Sequence, residues 1–473
     1  MACEKRDLAP PFTGSARVCE CAHANNLMNS FSKDSLITFL AEILIFIFGF
    51  IGLIILARVL GPTGKGIYSL ILLIPTLMLT LGSFGIESAN VYFIGSRKYK
   101  TQDVAFNSLV LSFLLGIILI LIFWIISQFD FFQKFIHSNQ ISPFYLWLVV
   151  LIIPLSLLSS FFRNILRGKG DIKNYNKIRI LESVILLLGI IVFLLMFQKN
   201  IFGAILSYLL SIAGACLFSI FLVKKIAKIR FFLNKNLLKD SAVYGGKVYL
   251  ANALSFLNYR LDMLLIAMFL VPAAVGLYSI AVGIAEKLFM ISGALATVLF
   301  PKVSAISNSE ANNLTPRISR HTFFIIIIAS LLLAVLAVPL IKILFGETFL
   351  PSVLPLLILL PGIIAFGIGG VLAADLGGRG RPEFAFYSSL ACLIVNVALN
   401  IILIPRWGIS GAALASTVAY WVDTFIIIFA FFRISRKPLL EFLLIKKEDF
   451  KDYYNIFLSL KDMLKNKLWK TKN

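Results

Sequence analysis

Charged side chains stand where this chain is otherwise apolar, and they are the residues whose types could do chemistry. Lys247, Arg260 and Asp262 share one long hydrophobic run, with Arg260 near its middle. Glu286 and Lys287 are adjacent in the next run, Asp423 lies near the middle of the last, and Glu42 and Glu87 fall in the first two. Arg163, Arg167, Arg179 and Glu182 cluster where the fourth and fifth runs meet. A charge at the centre of a bilayer costs roughly 2.5–3.5 kcal/mol on insertion scales, so each needs a partner or water. Arginine's planar fork suits phosphate oxygens. Arg260, Lys247, Lys287, Arg163, Arg167 and Arg179, with Asp262 among them, are therefore expected to line a wet cavity that admits an anionic substrate. Glu42, Glu286 and Asp423 are the candidates to offset these bases or to bind a coupling ion, a proton or Na⁺. The competing reading is internal ion pairing that locks helices together; Arg260 is where the cavity reading is favoured. For Arg163, Arg167 and Arg179, snorkelling to the interface stands beside contact with an anion. Arg58, at the end of the first run, is expected to snorkel.

The elements that must hold these residues follow from hydropathy. The chain has 473 residues, a mean hydropathy of +0.94, 59% hydrophobic residues and 14% charged ones. A soluble domain of this size could not hide so much apolar surface. Apolar runs of 18 or more residues recur, each long enough to cross roughly 30 Å of hydrocarbon. In lipid the backbone must satisfy its own hydrogen bonds, so the runs are read as helices. They are continuously apolar rather than alternating, which excludes a β-barrel. The expected segments are Leu36–Ala57, Ile67–Ile94, Val104–Ile126, Phe144–Leu166, Ile178–Phe197, Phe202–Val223, Val243–Leu270, Val275–Phe300, Thr322–Leu344, Val353–Leu376, Phe384–Ile404 and Ile409–Phe432. The fold class is thus an all-α integral membrane protein of about twelve transmembrane helices.

Net charge is +21, yet the Lys and Arg sit between apolar runs or in the tail, so topology explains them and nucleic acid is excluded as a partner. Loops after even-numbered segments carry Arg97, Lys98 and Lys100; Arg167, Lys169, Lys173 and Lys177; Lys224, Lys225, Lys228 and Arg230; Lys302, Arg317 and Arg320; and Arg379 with Arg381. The other loops carry little: Lys65, Lys134, Lys199, Lys342 and Arg406. The positive-inside rule places the even loops and both termini in the cytoplasm, with the chain in the cell membrane. Residues 1–30 differ in composition and lack an apolar core, so they read as a disordered leader or an over-extended start, with Met28 a candidate true start. Residues 434–473 form a basic, amphipathic cytoplasmic tail suited to an anionic lipid surface. Cys3, Cys19, Cys21, Cys216 and Cys392 make neither a disulfide framework nor a metal site. With no nucleophile elbow, no phosphate-binding loop and no outer loop longer than about Ser127–Pro143, no catalytic residue is expected and the chain is not read as an enzyme.

The two halves are alike. Gly61-Pro-Thr-Gly-Lys-Gly-Ile-Tyr-Ser-Leu pairs with Val271-Pro-Ala-Ala-Val-Gly-Leu-Tyr-Ser-Ile; Arg167-Gly-Lys-Gly pairs with Gly377-Gly-Arg-Gly; Ile201-Phe-Gly-Ala pairs with Ile409-Ser-Gly-Ala. All three pairs lie near 210 residues apart. Six segments per half is an even number, so both halves enter from one side as parallel repeats. The expected organisation is a six-helix lobe over 31–223, a basic linker over 224–240 and a second six-helix lobe over 241–433.

Several of these stretches resemble a known family. Phe256-Leu-Asn-Tyr-Arg-Leu-Asp, Val275-Gly-Leu-Tyr-Ser-Ile-Ala, Leu299-Phe-Pro-Lys-Val-Ser and Leu399-Asn-Ile-Ile-Leu-Ile-Pro-Arg-Trp-Gly-Ile-Ser-Gly-Ala-Ala-Leu-Ala-Ser-Thr are similar to the second half of Wzx-type polysaccharide-biosynthesis flippases of the MATE-like superfamily. Ala57-Arg-Val-Leu-Gly-Pro with Gly66-Ile-Tyr-Ser-Leu resembles the first half. The resemblance spans roughly Phe31 to Arg433. It implies two parallel lobes around a central cavity, alternating access, and a polyprenyl-pyrophosphate-linked oligosaccharide moved from the inner to the outer leaflet. It further implies membrane lipids, a glycan polymerase and glycosyltransferases as partners, and no cofactor beyond a coupling Na⁺ or H⁺. The alternative on the same fold is a multidrug or small-molecule exporter, which would favour acidic over basic cavity groups.

Overall fold

A computed structural model describes residues 14–198, 200–227, 232–444, 446 and 449, with side chains from Ile37 onward except at 247, 248, 250–252, 255, 439 and 440. Its elements are α1 (Gly14–Gly82), α2 (Ile86–Gly95), α3 (Thr101–Ser127), α4 (Asp130–Ser138), α5 (Pro143–Leu151), α6 (Ile153–Gly168), α7 (Ile172–Ile190), α8 (Asn200–Ile226), α9 (Lys235–Phe269), α10 (Pro272–Ala285), α11 (Phe289–Ala305), α12 (Asn308–Leu344), α13 (Val353–Gly378), α14 (Glu383–Ser435) and α15 (Leu439–Leu443). A π-helical turn at Ile191–Met196 prolongs α7, and one 3₁₀ turn at Glu286–Leu288 joins α10 to α11. No strand occurs among the described residues.

Nine of the described helices are long and apolar enough to cross a membrane, against the twelve expected segments. Physical breaks account for the difference. Gly61, at φ 64° and ψ −178°, divides α1 into two straight pieces, and Gly408, at φ 59° and ψ −139°, divides α14. Such dihedrals favour glycine because it lacks a Cβ. The helix α9 falls outside the nine because Lys235, Lys239, Asp240, Lys247, Arg260 and Asp262 lower its hydropathy.

Besides the eighth, which the 3₁₀ turn divides, two expected segments are not single helices. The second is interrupted at Ser83–Gly85, where Phe84 and Gly85 take positive φ, and resumes as α2. The fourth is stepped at Ile152, where α5 gives way to α6 with Pro154 in its first turn. The loop read between Ser127 and Pro143 contains the helix α4.

The sequence repeat reappears as repeated geometry. Gly170 and Gly380 both close helices with positive φ, 77° and 79°. In each, the glycine N–H bonds three residues back, Gly170 to Arg167 and Gly380 to Gly377, both 3.0 Å. In each the next N–H reaches five back, Asp171 to Leu166 and Arg381 to Leu376, both 2.9 Å. That is one C-terminal cap used twice. Asn200 and Gly408 likewise share positive φ immediately before the paired Ile201 and Ile409 stretches.

A single large apolar cluster joins α1 (Leu56, Tyr68, Ile71) to α10 (Val275, Tyr278, Ala281) and α13 (Leu356, Ile363), so α1–α8 and α9–α14 meet as two lobes across a packed seam. One end of the bundle carries the Lys- and Arg-rich loops; the other carries the sparse ones. The basic tail expected over 434–473 lies mostly outside the described residues. Where it is described, α15 folds back, with Phe442 buried against Phe431 and Asp449 clasping Arg320 on α12.

Candidate functional site

Three of the arginine–carboxylate pairs involve residues singled out in the sequence. At the basic end of the first lobe, the Arg179 fork on α7 grips both oxygens of Glu42 on α1. Arg163 on α6 donates to Glu182 on α7 at 3.1 Å. In the second lobe Arg260 on α9 lies 3.7 Å from Glu286 in the 3₁₀ turn. All six side chains keep 20–41% of their surface exposed. Arg167 and Arg179 both lie over the Tyr175 ring, at 5.9 and 5.6 Å. Lys287, exposed, lies 5.4 Å over Phe46 of the opposite lobe. The Lys247 side chain falls outside the described residues.

The geometry therefore brings Arg163, Arg179 and Glu42 together, and separately Arg260 with Glu286. These pairs differ in how firmly they hold. The two-pronged Arg179–Glu42 pair satisfies both partners, whereas the Arg260 contact is longer than a direct hydrogen bond. Glu286 Oε1 is buried and has no hydrogen-bond partner among the described residues. Of the three arginines, Arg260 has the least direct carboxylate contact. Behind it a cluster of Tyr259, Phe289, Phe366 and Tyr420, with centroids 4.9–6.1 Å apart, keeps its helix in place.

Asp262 is buried inside the second lobe, with 4% of its surface exposed. Tyr278 O–H on α10 donates to it at 2.8 Å, Ser416 O–H also donates, and Asn400 Nδ2 approaches at 3.2 Å. Asn396 Nδ2 reaches Ser416 Oγ at 3.4 Å. No basic group pairs with Asp262 among the described residues. Asn400 Oδ1, fully buried beside it, accepts no hydrogen bond among the described residues. A buried carboxylate with spare acceptor oxygens and no cation is a nest that would suit a proton or a small hard cation. Asp423 is buried as well, on the same helix as Ser416, with Gly369 close by.

Sequence reasoning missed the neutral half of this nest, although the signal was present. Tyr278, Asn400 and Ser416 all belong to the stretches that carry the family resemblance, and folding brings those stretches to one carboxylate. Arg58, exposed at its helix end, donates to the Leu344 carbonyl at 2.8 Å and to the Ile343 carbonyl, capping the C-terminus of α12 in the other lobe. Such carbonyls lack intrahelical donors and carry partial negative charge. Lys65 is not a loop residue: after the Gly61 break it sits on helix, 7% exposed.

The lobes touch at both ends. At the sparse end Gly66 packs on the Pro272 carbonyl and Gly276 on the Pro62 carbonyl, a reciprocal contact between repeat-related residues. Asn139 on the α4 side donates to the Ala267 carbonyl at 2.9 Å. At the basic end Gly85 and Gly245 approach so closely that a Cβ on either would meet the other's backbone. Tyr92 stacks on Tyr244 at 4.4 Å. Lys98 and Tyr99 each reach Asp240 at 2.7 Å, and these hydrogen bonds hold the Asp240 carboxyl below the usual carboxylate range.

Comparison with known proteins places this geometry. Residues 31–307 match the family model described as "Polysaccharide biosynthesis protein". The chain is 25% identical over 422 residues to "Uncharacterized membrane protein MJ1375" of Methanocaldococcus jannaschii, covering 86% of this chain and 99% of that protein. It is 27% identical over 173 residues to "Probable low-salt glycan biosynthesis flippase Agl15" of Haloferax volcanii, covering 35% and 36% of the two chains. Among solved structures, "Lipid II flippase MurJ, inward closed conformation" superposes with a TM-score of 0.69 at 18% identity, over 90% of this chain and 92% of that one. An inward-facing MATE multidrug transporter of the MOP superfamily gives 0.67 at 18% identity, over 82% and 94%. At such identities the structural likeness speaks for the fold.

Proposed function

The chain belongs to the polysaccharide biosynthesis protein family, and from that premise we propose that it flips a polyprenyl-pyrophosphate-linked oligosaccharide from the cytoplasmic to the outer leaflet by alternating access. The observation that carries this reading is Arg260, a part-exposed interior arginine held only loosely by Glu286. A pyrophosphate could take the guanidinium fork in place of that contact. An exporter of organic cations would instead need a carboxylate free to face the cavity, and Glu42 and Glu286 each face an arginine.

In this proposal the basic end is cytoplasmic, following the loop charges. The headgroup enters near Arg163, Arg167 and Arg179 and advances to Arg260. Each arginine already has a carboxylate or an aromatic ring beside it, so entry exchanges one partner for another and release stays feasible. The lipid tail remains in the bilayer. The repeated frame supports two related states that differ in which end is closed. The Asp262 nest is the proposed place for a coupling Na⁺ or H⁺, and the glycan polymerase and glycosyltransferases that make and use the substrate are the proposed partners.

The test is reconstitution into proteoliposomes with a fluorescent polyprenyl-diphosphate oligosaccharide whose leaflet is read by membrane-impermeant quenching. The expected result is protein-dependent exchange between leaflets, stopped when cysteines in place of Leu60 and Leu270 are crosslinked and restored on reduction. Exchange that continues unchanged in the crosslinked protein would refute the rocking step. No exchange in the uncrosslinked protein would refute the function.

A further inference from the structure

Lys65 is the cation that the reading above leaves unused. It lies just past the Gly61 break, 7% exposed, with its ammonium 2.8 Å from Ser69 Oγ and 5.7 Å over the Tyr68 ring. No carboxylate lies within 4 Å of it among the described residues, whereas Arg163, Arg179 and Arg260 each have one. The like charge of Arg260 acts on it across the seam between the lobes. A hydroxyl and one ring do little to offset a buried ammonium, which loses its hydration without gaining an anion.

The ammonium borders a cavity of about 220 Å³ in the first lobe. Its lining, from α1 and α7, is largely apolar, Phe48, Leu53 and Leu187 among it, and Lys65, Tyr68 and Ser183 supply the polar side chains. A Cβ at Gly49 would meet nothing within 4 Å, so the lining there is open rather than packed. The volume corresponds to about seven waters at roughly 30 Å³ each, enough for a diphosphate or a single sugar ring but not for an oligosaccharide. A buried, uncompensated cation beside an open cavity needs an anion to arrive.

We infer that Lys65 and this cavity form a second anion-binding subsite, which takes anionic oxygens of the lipid-linked substrate, diphosphate or sugar carboxylate, once these have passed Arg260. The inference rests on the flippase reading and adds a residue and a place to it. Arg260 and Lys65 then hold the substrate from opposite lobes, and the repulsion between them falls when an anion lies between.

The full-length protein, purified in nanodiscs, is titrated with geranylgeranyl diphosphate, inorganic pyrophosphate and glucuronate, comparing the parent with Lys65→Met and Lys65→Arg. The expected result is at least a tenfold loss of affinity in Lys65→Met for one class of anion, with affinity largely kept in Lys65→Arg. Loss confined to the two phosphates assigns the subsite to the diphosphate; loss confined to glucuronate assigns it to a sugar carboxylate. Lys65→Met should also melt no lower than the parent, because it removes an uncompensated charge. Parental affinity of Lys65→Met for all three anions overturns the inference, as does binding of none of them by the parent. A lower melting temperature with unchanged affinity would make Lys65 a structural tether to Ser69. The leaflet-exchange assay separates the two claims. A parent that flips its substrate while Lys65→Met flips and binds equally well overturns only the subsite. A parent that flips nothing overturns the function whatever Lys65 does.

Discussion

Placing a methyl group at Gly66 should hold the sparse end open. A Cβ built there would stand 2.7 Å from the Pro272 carbonyl carbon and 3.0 Å from the Gly276 nitrogen, with the Pro272 oxygen nearer still. Carbon atoms in contact normally lie about 3.5–4.0 Å apart, so the backbones must part by roughly 0.8 Å or more. Neither neighbour is a flexible side chain that could turn aside. The repeat partner is in the same position: a Cβ at Gly276 would stand 2.9 Å from the Pro62 carbonyl carbon. Overpacking of this kind costs about 1–3 kcal/mol. The strain exists only while the sparse end is closed, so it disfavours that state by about 5- to 150-fold. The assay is the yield of crosslinking between cysteines replacing Leu60 and Leu270, read with leaflet exchange. Gly66→Ala and Gly276→Ala should each lower the yield and slow exchange. Gly293→Ala, where the added methyl meets nothing within 4 Å, is the control and should do neither. If Gly66→Ala and Gly276→Ala crosslink and exchange like the parent, the reciprocal glycine contact does not close the sparse end.

Three other outcomes follow from the interior and the basic end. Arg260→Ala should cut leaflet exchange by about 10- to 100-fold, the worth of a hydrogen bond to a charged group, with membrane abundance unchanged in immunoblots; Arg260→Lys should restore it only in part, since an ammonium lacks the fork. Asp262→Asn should remove the dependence of exchange on a Na⁺ or proton gradient while leaving the melting temperature close to the parent, because an amide oxygen can still accept from Tyr278 and Ser416. Retained gradient dependence would move the coupling site elsewhere. Hydrogen bonds from Arg320 hold the Asp449 carboxyl below the usual carboxylate range. A depressed carboxylate contributes its stability above its unfolded value and loses it as pH falls through the folded one. The fold-back of α15 onto α12 should therefore persist from neutral pH down to about 4 and release only below that. Hydrogen exchange over 439–449 measures this, and release already at pH 6 would contradict it.

Long-range pairing separates what could be read in the sequence from what could not. The helical runs, the charge alternation and the repeat depend on neighbours in the chain, so hydropathy and spacing display them directly. The break at Gly85 was hidden, because the apolar run Ile67–Ile94 continues across it and a glycine in such a run looks ordinary, whereas Gly61 and Gly408 fall between expected segments. Charge could be located but not assigned. Arg179 and Glu42 are 137 residues apart and Arg58 is 286 residues from the Leu344 carbonyl it caps. Lys65 was misplaced for the simplest reason: Gly61 and Pro62 suggest a loop, and the helix resumes sooner than the pattern suggests. Asp262 was visible as a charge, while Tyr278, Asn400 and Ser416 were not, since neutral polar residues cost little on an insertion scale and draw no attention until they converge.

The repeat and its exceptions divide the work between them. What the halves share is backbone: the caps at Gly170 and Gly380, the turns at Asn200 and Gly408, and the crossing of Pro62–Gly66 with Pro272–Gly276. A parallel repeat relates one lobe to the other rather than one end to the other, and the two ends meet by different contacts, Pro62–Gly66 on Pro272–Gly276 at the sparse end and Gly85 on Gly245 at the basic end. What the halves do not share is charge. The first lobe supplies Arg163, Arg179 and the unpaired Lys65; the second supplies Arg260, Lys287 and the neutral nest around Asp262. Among the described residues the polar contacts that span the lobes include exposed ones, Arg58 on the α12 carbonyls and Lys98 on Asp240, which water weakens, and the buried bond from Asn139 to the Ala267 carbonyl. An anion gripped from both lobes, by Arg260 on one side and Lys65 on the other, would be held best when the lobes are closest, and a cation settling at Asp262 would alter the helices that carry Arg260. In the proposed cycle, the residues that would choose the cargo and the helix that would move with it are both on α9, whose charges set it apart in the sequence.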